Sequence, residues 1–186
     1  MSVTFCLLEQ SAVQPWKNGG GLTRQLLAFP EDNWALRVSV ADINVAGPFS
    51  VFSGVQRNFV LLSGQSITLT GAGKSQQLTP KSPPLSFDGA DNAYCQLEAG
   101  SVQALNFMVK SAAGVGSMQR VTANQPWQGS FTWRAVFSVN GGLLQAGGER
   151  LKLPAMSLAW SLDSGAIPWH FGSDGEAFWL GFQEKA

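Results

Sequence analysis

The chain has 186 residues, and its twelve basic and twelve acidic side chains cancel to a net charge of zero. That length suits one large β domain or two small ones with a real core, and the charge balance excludes the electrostatic footprint of a nucleic-acid or anionic-membrane binder. Charged residues are 13% of the chain, about half of the usual share of roughly 25%, so the surface is mainly neutral and polar.

The first stretch, Met1 to Glu9, lacks a basic n-region, and its apolar run breaks too early for a signal peptide. No segment approaches the ~20 apolar residues of a membrane helix. Cys6 and Cys95 are far apart in apolar settings, which fits reduced core residues of a cytoplasmic protein.

Trp16-Lys17-Asn18-Gly19-Gly20-Gly21-Leu22-Thr23-Arg24-Gln25 is the least ordinary stretch. Three glycines can bring bare backbone N–H groups close to a ligand, flanked by an aromatic, an amide, a hydroxyl and a guanidinium. A tight turn feeding a strand explains the same spacing, and spacing alone leaves both readings open. Leu22 to Phe29 alternates as a strand, Pro30 to Asn33 turns, and Trp34 to Ala41 alternates again. In that second strand Trp34, Leu36, Val38 and Val40 form a core face. Ala35, Arg37, Ser39 and Ala41 form the other, which suits a wall facing a polar cavity or solvent.

A Gly/Pro-bounded loop follows at Ala46 to Gly54, with Phe49 and Phe52, and then Arg57. Strands are predicted at 58–62, 65–70, 76–78, 85–87, 93–97 and 103–109, with a turn at Ser63-Gly64. From Phe131 a similar cadence returns. Val60 to Gly64 resembles Phe137 to Gly141, Leu78 to Pro80 resembles Leu151 to Pro154, and Leu85 to Gly89 resembles Leu158 to Leu162. This weak repeat predicts an all-β protein of two related barrel halves, residues 1–112 and 113–186, packed as one unit. The seam falls within Ser111 to Asn124, where Ala112 to Ser117 reads as a linker.

Several motifs are set aside. Gly73-Lys74-Ser75 ends like a P-loop, but Thr68 stands where a glycine is required and no helix follows, so it is a hairpin turn. One histidine, His170, cannot assemble the several-histidine metal site common in barrels, and it has no Gly-x-Ser-x-Gly elbow to serve as a triad base. No metal and no cofactor are expected. Five of seven tryptophans lie in the second half; core packing explains most, and an apolar dimer surface explains any that prove exposed.

Arg24, Arg37 and Arg57 all lie in or beside strands of the first third. If those strands are neighbours, their guanidinium groups converge on a carboxylate, each charged hydrogen bond being worth ~1.5–3 kcal/mol. Singly, each instead reaches solvent or pairs with Glu31, Asp42 or Asp88.

Trp16 to Arg24 resembles the HutD/Ves family of cupin-like proteins. The resemblance continues through Trp34 to Ala41, Gly47-Pro48-Phe49-Ser50, Phe52-Ser53-Gly54, Arg57 and Leu61 to Gly64, and ends with Phe87-Asp88-Gly89, Leu97 to Gly100 and Asn106-Phe107-Met108. Beyond residue 110 it rests mainly on Val136 to Gly141. Gln25 and Ala104 depart from it, since the family usually carries acids there. The resemblance implies a double-stranded β-helix, or bicupin, with a pocket in the N-terminal half. It implies an accessory or regulatory role in histidine utilisation rather than an enzyme, sensing or buffering a small anionic metabolite such as formylglutamate or urocanate.

On that basis Arg57, Arg37 and Arg24 are assigned the carboxylate, Asn18 and Asn106 the orienting amide bonds, and Trp16 and Phe52 the pocket wall. A homodimer is expected; nucleic acid and membrane are not partners. Two alternatives stand beside this reading: a metal-independent isomerase or hydrolase using Asp42 or Asp88 as base, and a protein-interaction scaffold.

Overall fold

The Gly and Pro punctuation becomes a succession of strands in the computed structural model, which describes residues 2–123, 125–162, 166–172 and 175–185. Met1, Asn124 and Ala186, where expected boundaries fall, lie outside the described residues. The chain opens on β1 (Thr4–Leu7) and a short 3-10 turn. Next come β2 (Val13–Pro15), β3 (Gly21–Phe29), β4 (Leu36–Ile43), β5 (Gly47–Pro48) and β6 (Val55–Ser63). Then follow β7 (Ile67–Gly71), β8 (Lys74–Leu78), β9 (Leu85–Asp88), β10 (Tyr94–Leu97) and β11 (Val102–Lys110). The last five are β12 (Gly114–Arg120), β13 (Trp133–Ala146), β14 (Glu149–Ser161), β15 (Trp169–Gly172) and β16 (Ala177–Glu184).

Two units partition these strands: Ala12–Ala112, and Met1–Ser11 together with Ala113–Ala186. The units divide between Ala112 and Ala113, and the first eleven residues fall with the C-terminal unit. β1 pairs antiparallel with β14, Cys6 opposite Leu158. The expected linker is also different: Gly114 to Ser117 belong to β12, which pairs with β16. The glycine there makes room, since a Cβ on Gly114 would lie 2.3 Å from the Gln183 carbonyl oxygen and 2.5 Å from the Phe182 ring.

In the N-terminal unit one sheet runs β2-β3-β4-β11-β6-β9 and a second runs β5-β10-β7-β8. Ile43, Phe59, Leu61 and Ala104 of the first pack with Ile67, Leu69 and Cys95 of the second in one apolar cluster. Both cysteines are free. Residues 71–75 do form the β7–β8 hairpin, with Ala72 and Gly73 at positive φ of 48° and 73°, as such tight turns require.

In the C-terminal unit the tryptophans are core. Trp127, Trp133, Trp169 and Trp179 are buried, Trp160 half-buried, and Trp127 stacks on Trp179 with ring centroids 4.7 Å apart. No helix among the described residues is long and apolar enough to cross a membrane.

Candidate ligand-binding site

Strand register builds the site. On the central strand β11, Met108 stands opposite Arg37 of β4 on one side and Arg57 of β6 on the other. The next row of that face holds Ser39, Asn106 and Phe59. Side chains two apart on a strand share a face, so both rows project into the same space. There they line a cavity of about 610 Å³, within the range of small-ligand sites. The small-residue face of β4 read from the sequence is therefore the cavity wall: Arg37, Ser39, Ala41 and Ile43 all line it, while Leu36, Val38 and Val40 are fully buried on the other face.

Arg57 is the focus. It is 7% exposed, and its guanidinium lies 5.0 Å from the ring centroids of both Phe49 and Phe87 and 5.9 Å from that of Phe52. One Nη donates to the Asn106 Oδ1 at 2.9 Å. Its Nε is buried without a hydrogen-bond partner, and so is the Nε of Arg37. Neither arginine pairs with a carboxylate among the described residues. Burial, reinforced by the nearby Arg37 charge, lowers the Arg57 pKa to about 10, and burial lowers that of Arg37 as well. A charge held out of water beside a half-buried like charge, each with an unmet Nε–H, is costly, and an anion between them offsets that cost.

The expected convergence of three arginines is a convergence of two. Arg24 stands opposite Val40, on the sheet face turned away from the cavity, and pairs with Asp42 at 2.5 Å. The other Asp42 oxygen accepts from Gln103 at 2.7 Å. Asp88, the second candidate base, caps the Ala90 N–H at 2.8 Å. Neither acid lines the cavity, and no Asp or Glu does among the described residues.

The glycine run is a turn rather than a cradle of bare N–H groups. Gly19 N–H donates to the Trp16 carbonyl at 3.0 Å, and Gly20 N–H to the Asn18 Oδ1 at 3.0 Å. Its purpose is space: a Cβ on Gly21 would lie 2.4 Å from the Asp42 carbonyl oxygen and 3.2 Å from the Trp16 ring. Trp16 is thereby laid along the cavity, its indole N–H donating to Thr23 Oγ1 at 2.7 Å and its ring edge-on to Phe49.

Trp16, Asn18, Arg37, Phe52, Arg57 and Asn106 all line the cavity. Met108, Phe59, Thr23 and Lys17 also line it. Met108 and Phe59 were legible in principle, each two residues from a chosen site residue and so on its face. The Phe49–Phe52 segment is tied down by Phe49 N–H to Ala93 and Phe52 N–H to Gly89. His170 lies half-buried on β15 opposite Gln145, and no group of three metal-ligating side chains occurs among the described residues.

The profile of the HutD family matches residues 9–179. A Pseudomonas putida protein described as an uncharacterized 21.2 kDa protein in the hutC 3' region is 32% identical over 97 residues, 50% of this chain and 51% of that one. Protein Ves of Citrobacter koseri is 32% identical over 108 residues, 55% of this chain and 56% of the relative. The matched stretch thus spans about half the length of these relatives. A structure of HutD from Pseudomonas fluorescens SBW25 (formate condition) superposes with a TM-score of 0.86 at 25% identity over 100% of both chains. The all-β, cupin-like fold implied by the sequence is the fold of this chain.

Proposed function

Because the chain belongs to the HutD family, we propose that it binds a small carboxylate in the N-terminal cavity and serves histidine utilisation as an accessory protein. In this reading it senses or buffers an intermediate such as formylglutamate or urocanate. The observation that carries the reading is the Arg37–Arg57 pair, Arg57 buried and Arg37 half-buried, whose charges and Nε groups meet no carboxylate among the described residues. A carboxylate supplies both at once, through charge-assisted hydrogen bonds. The link to histidine utilisation rests on the relatives: one is described by its position in the hutC 3' region, and a solved structure of the same fold is named HutD.

Catalysis has less support. The two acids that offered a base, Asp42 and Asp88, are engaged in structural bonds away from the cavity.

Thermal unfolding against a panel of small carboxylates tests the proposal. A ligand at 100 times its dissociation constant stabilises the fold by about 2.7 kcal/mol, a shift of several degrees. The expected result is a shift with a pathway carboxylate and none with its amide or ester. No shift with any acid contradicts the proposal.

A further inference from the structure

The Phe87-Asp88-Gly89 motif contributes nothing to the cavity lining, yet two of its residues bear on Arg57. Phe87 on the edge strand β9 stands opposite Arg57 of β6, so both side chains rise from one face of the sheet. The Arg57 guanidinium lies over the Phe87 ring, 5.0 Å from its centroid, inside the ~6 Å reach of a cation–π contact. Phe87 is half-buried and packs against the apolar cluster between the two sheets. Two residues on, Gly89 allows a close approach. A Cβ there would lie 2.5 Å from the Phe52 carbonyl oxygen and 2.7 Å from that of Val55. The Phe52 N–H donates to the Gly89 carbonyl at 2.7 Å, and the Gly89 N–H to that of Val55 at 2.7 Å. One short motif thus supplies a ring over Arg57 and anchors the segment that brings another, Phe52, to 5.9 Å.

A buried guanidinium is ordinarily held by a carboxylate. Such a partner would neutralise the charge and occupy the N–H groups that a ligand needs. Here the holders carry no net charge: the Asn106 Oδ1 and the rings of Phe49, Phe52 and Phe87. An aromatic face attracts a cation through its quadrupole and leaves the N–H groups at the edge of the guanidinium plane open.

We infer that Phe87 is a positioning residue, which holds Arg57 in place for the ligand without touching the ligand itself. This inference rests on the carboxylate reading above and adds to it a residue outside the cavity. Its effect on affinity runs through population: a ligand that needs Arg57 in place binds more weakly as fewer molecules hold it there. A cation–π contact in a desolvated site is strong enough to set that fraction.

Three variants separate the ring from the bulk. Phe87→Leu and Phe87→Met keep an apolar side chain and remove the ring face, whereas Phe87→Tyr keeps the face. Thermal unfolding identifies the folded variants, and formylglutamate and urocanate are then titrated into each beside wild type. The ringless variants are expected to bind about tenfold more weakly than wild type, and Phe87→Tyr to bind like wild type. Added to Arg57→Met, the ringless changes are expected to weaken binding no further, because they act through a side chain that is gone. A general loosening of the fold would weaken binding in both backgrounds alike. Ringless variants that bind as tightly as wild type, or that lose as much affinity in the Arg57→Met background, overturn the inference and leave the carboxylate reading standing. Failure of both ringless variants to fold makes Phe87 a structural residue and overturns it too. If neither acid binds wild type, the carboxylate reading falls and the positioning role falls with it.

Discussion

Arg37 and Arg57 stand on either side of Met108, in one register row of three adjacent strands. Strand spacing separates their backbones by about 10 Å, and both long side chains line the same cavity with an Nε that nothing meets. A fold that holds a buried guanidinium beside a half-buried one, with no carboxylate to neutralise either among the described residues, gives up stability to keep them there.

Replacing Arg57 by methionine removes the buried charge while keeping most of the volume against Phe49 and Phe87. Apo stability is expected to stay level or rise by up to about 3 kcal/mol, as when buried ionic groups give way to apolar ones. Denaturant unfolding of the apo protein checks this. A loss beyond about 2 kcal/mol makes Arg57 a structural residue instead.

Carboxylate binding is expected to be flat with pH from about 6 to 9 and to weaken above about 10, roughly tenfold per unit. Arg57 is lowered to about 10 in the folded protein, so it is charged below that value and sheds its proton above it, and the anion requires the charged form. The unfolded chain holds that proton to well above that value. Stability of the apo protein therefore carries the full cost of the buried charge below about pH 10 and recovers part of it as pH rises through that window. Dissociation constants measured across the range test the binding arm.

Arg24→Ala is expected to leave carboxylate affinity unchanged and to cost less than about 1 kcal/mol of stability. Its ion pair with Asp42 is partly exposed, with side-chain exposures of 27% and 24%, and points away from the cavity. A tenfold loss of affinity in this variant, measured by titration, brings Arg24 back into the site.

Gly21→Ala forces a Cβ to within 2.4 Å of the Asp42 carbonyl oxygen and against the Trp16 ring. Backbone cannot yield as a side-chain tip can, so a loss of about 1–3 kcal/mol is expected. A blue or red shift of tryptophan emission should accompany it as Trp16 leaves its place. Wild-type stability in this variant contradicts the packing role given to the glycine run.

Much of this arrangement was legible in the chain. Alternation located β3, β4, β6 and β11, and it separated the two faces of β4, one of which lines the cavity. Asn106 and Arg57 were identifiable, and a diagonal between neighbouring strands joins them. Arg24 was misplaced because alternation tells which residues share a face but not which face is inside; Thr23 settles it, since it lines the cavity and its neighbour Arg24 must then point away. The glycines were read for the backbone they expose, whereas their role depends on a Trp16 ring that only the tertiary structure puts there. Gly114 looked like a linker for the same reason: the Phe182 ring that excludes a Cβ comes from β16. Nothing local announces that β1 pairs with β14, some 150 residues later.

The most direct measurement is isothermal titration of formylglutamate and urocanate into the wild-type protein and Arg57→Met side by side. One of them is expected to bind wild type at one site per chain, and Arg57→Met to weaken it by about 30-fold or more, the usual loss when one partner of a buried charge pair is removed. Equal affinity in the two proteins, or no heat from either acid in wild type, contradicts that expectation.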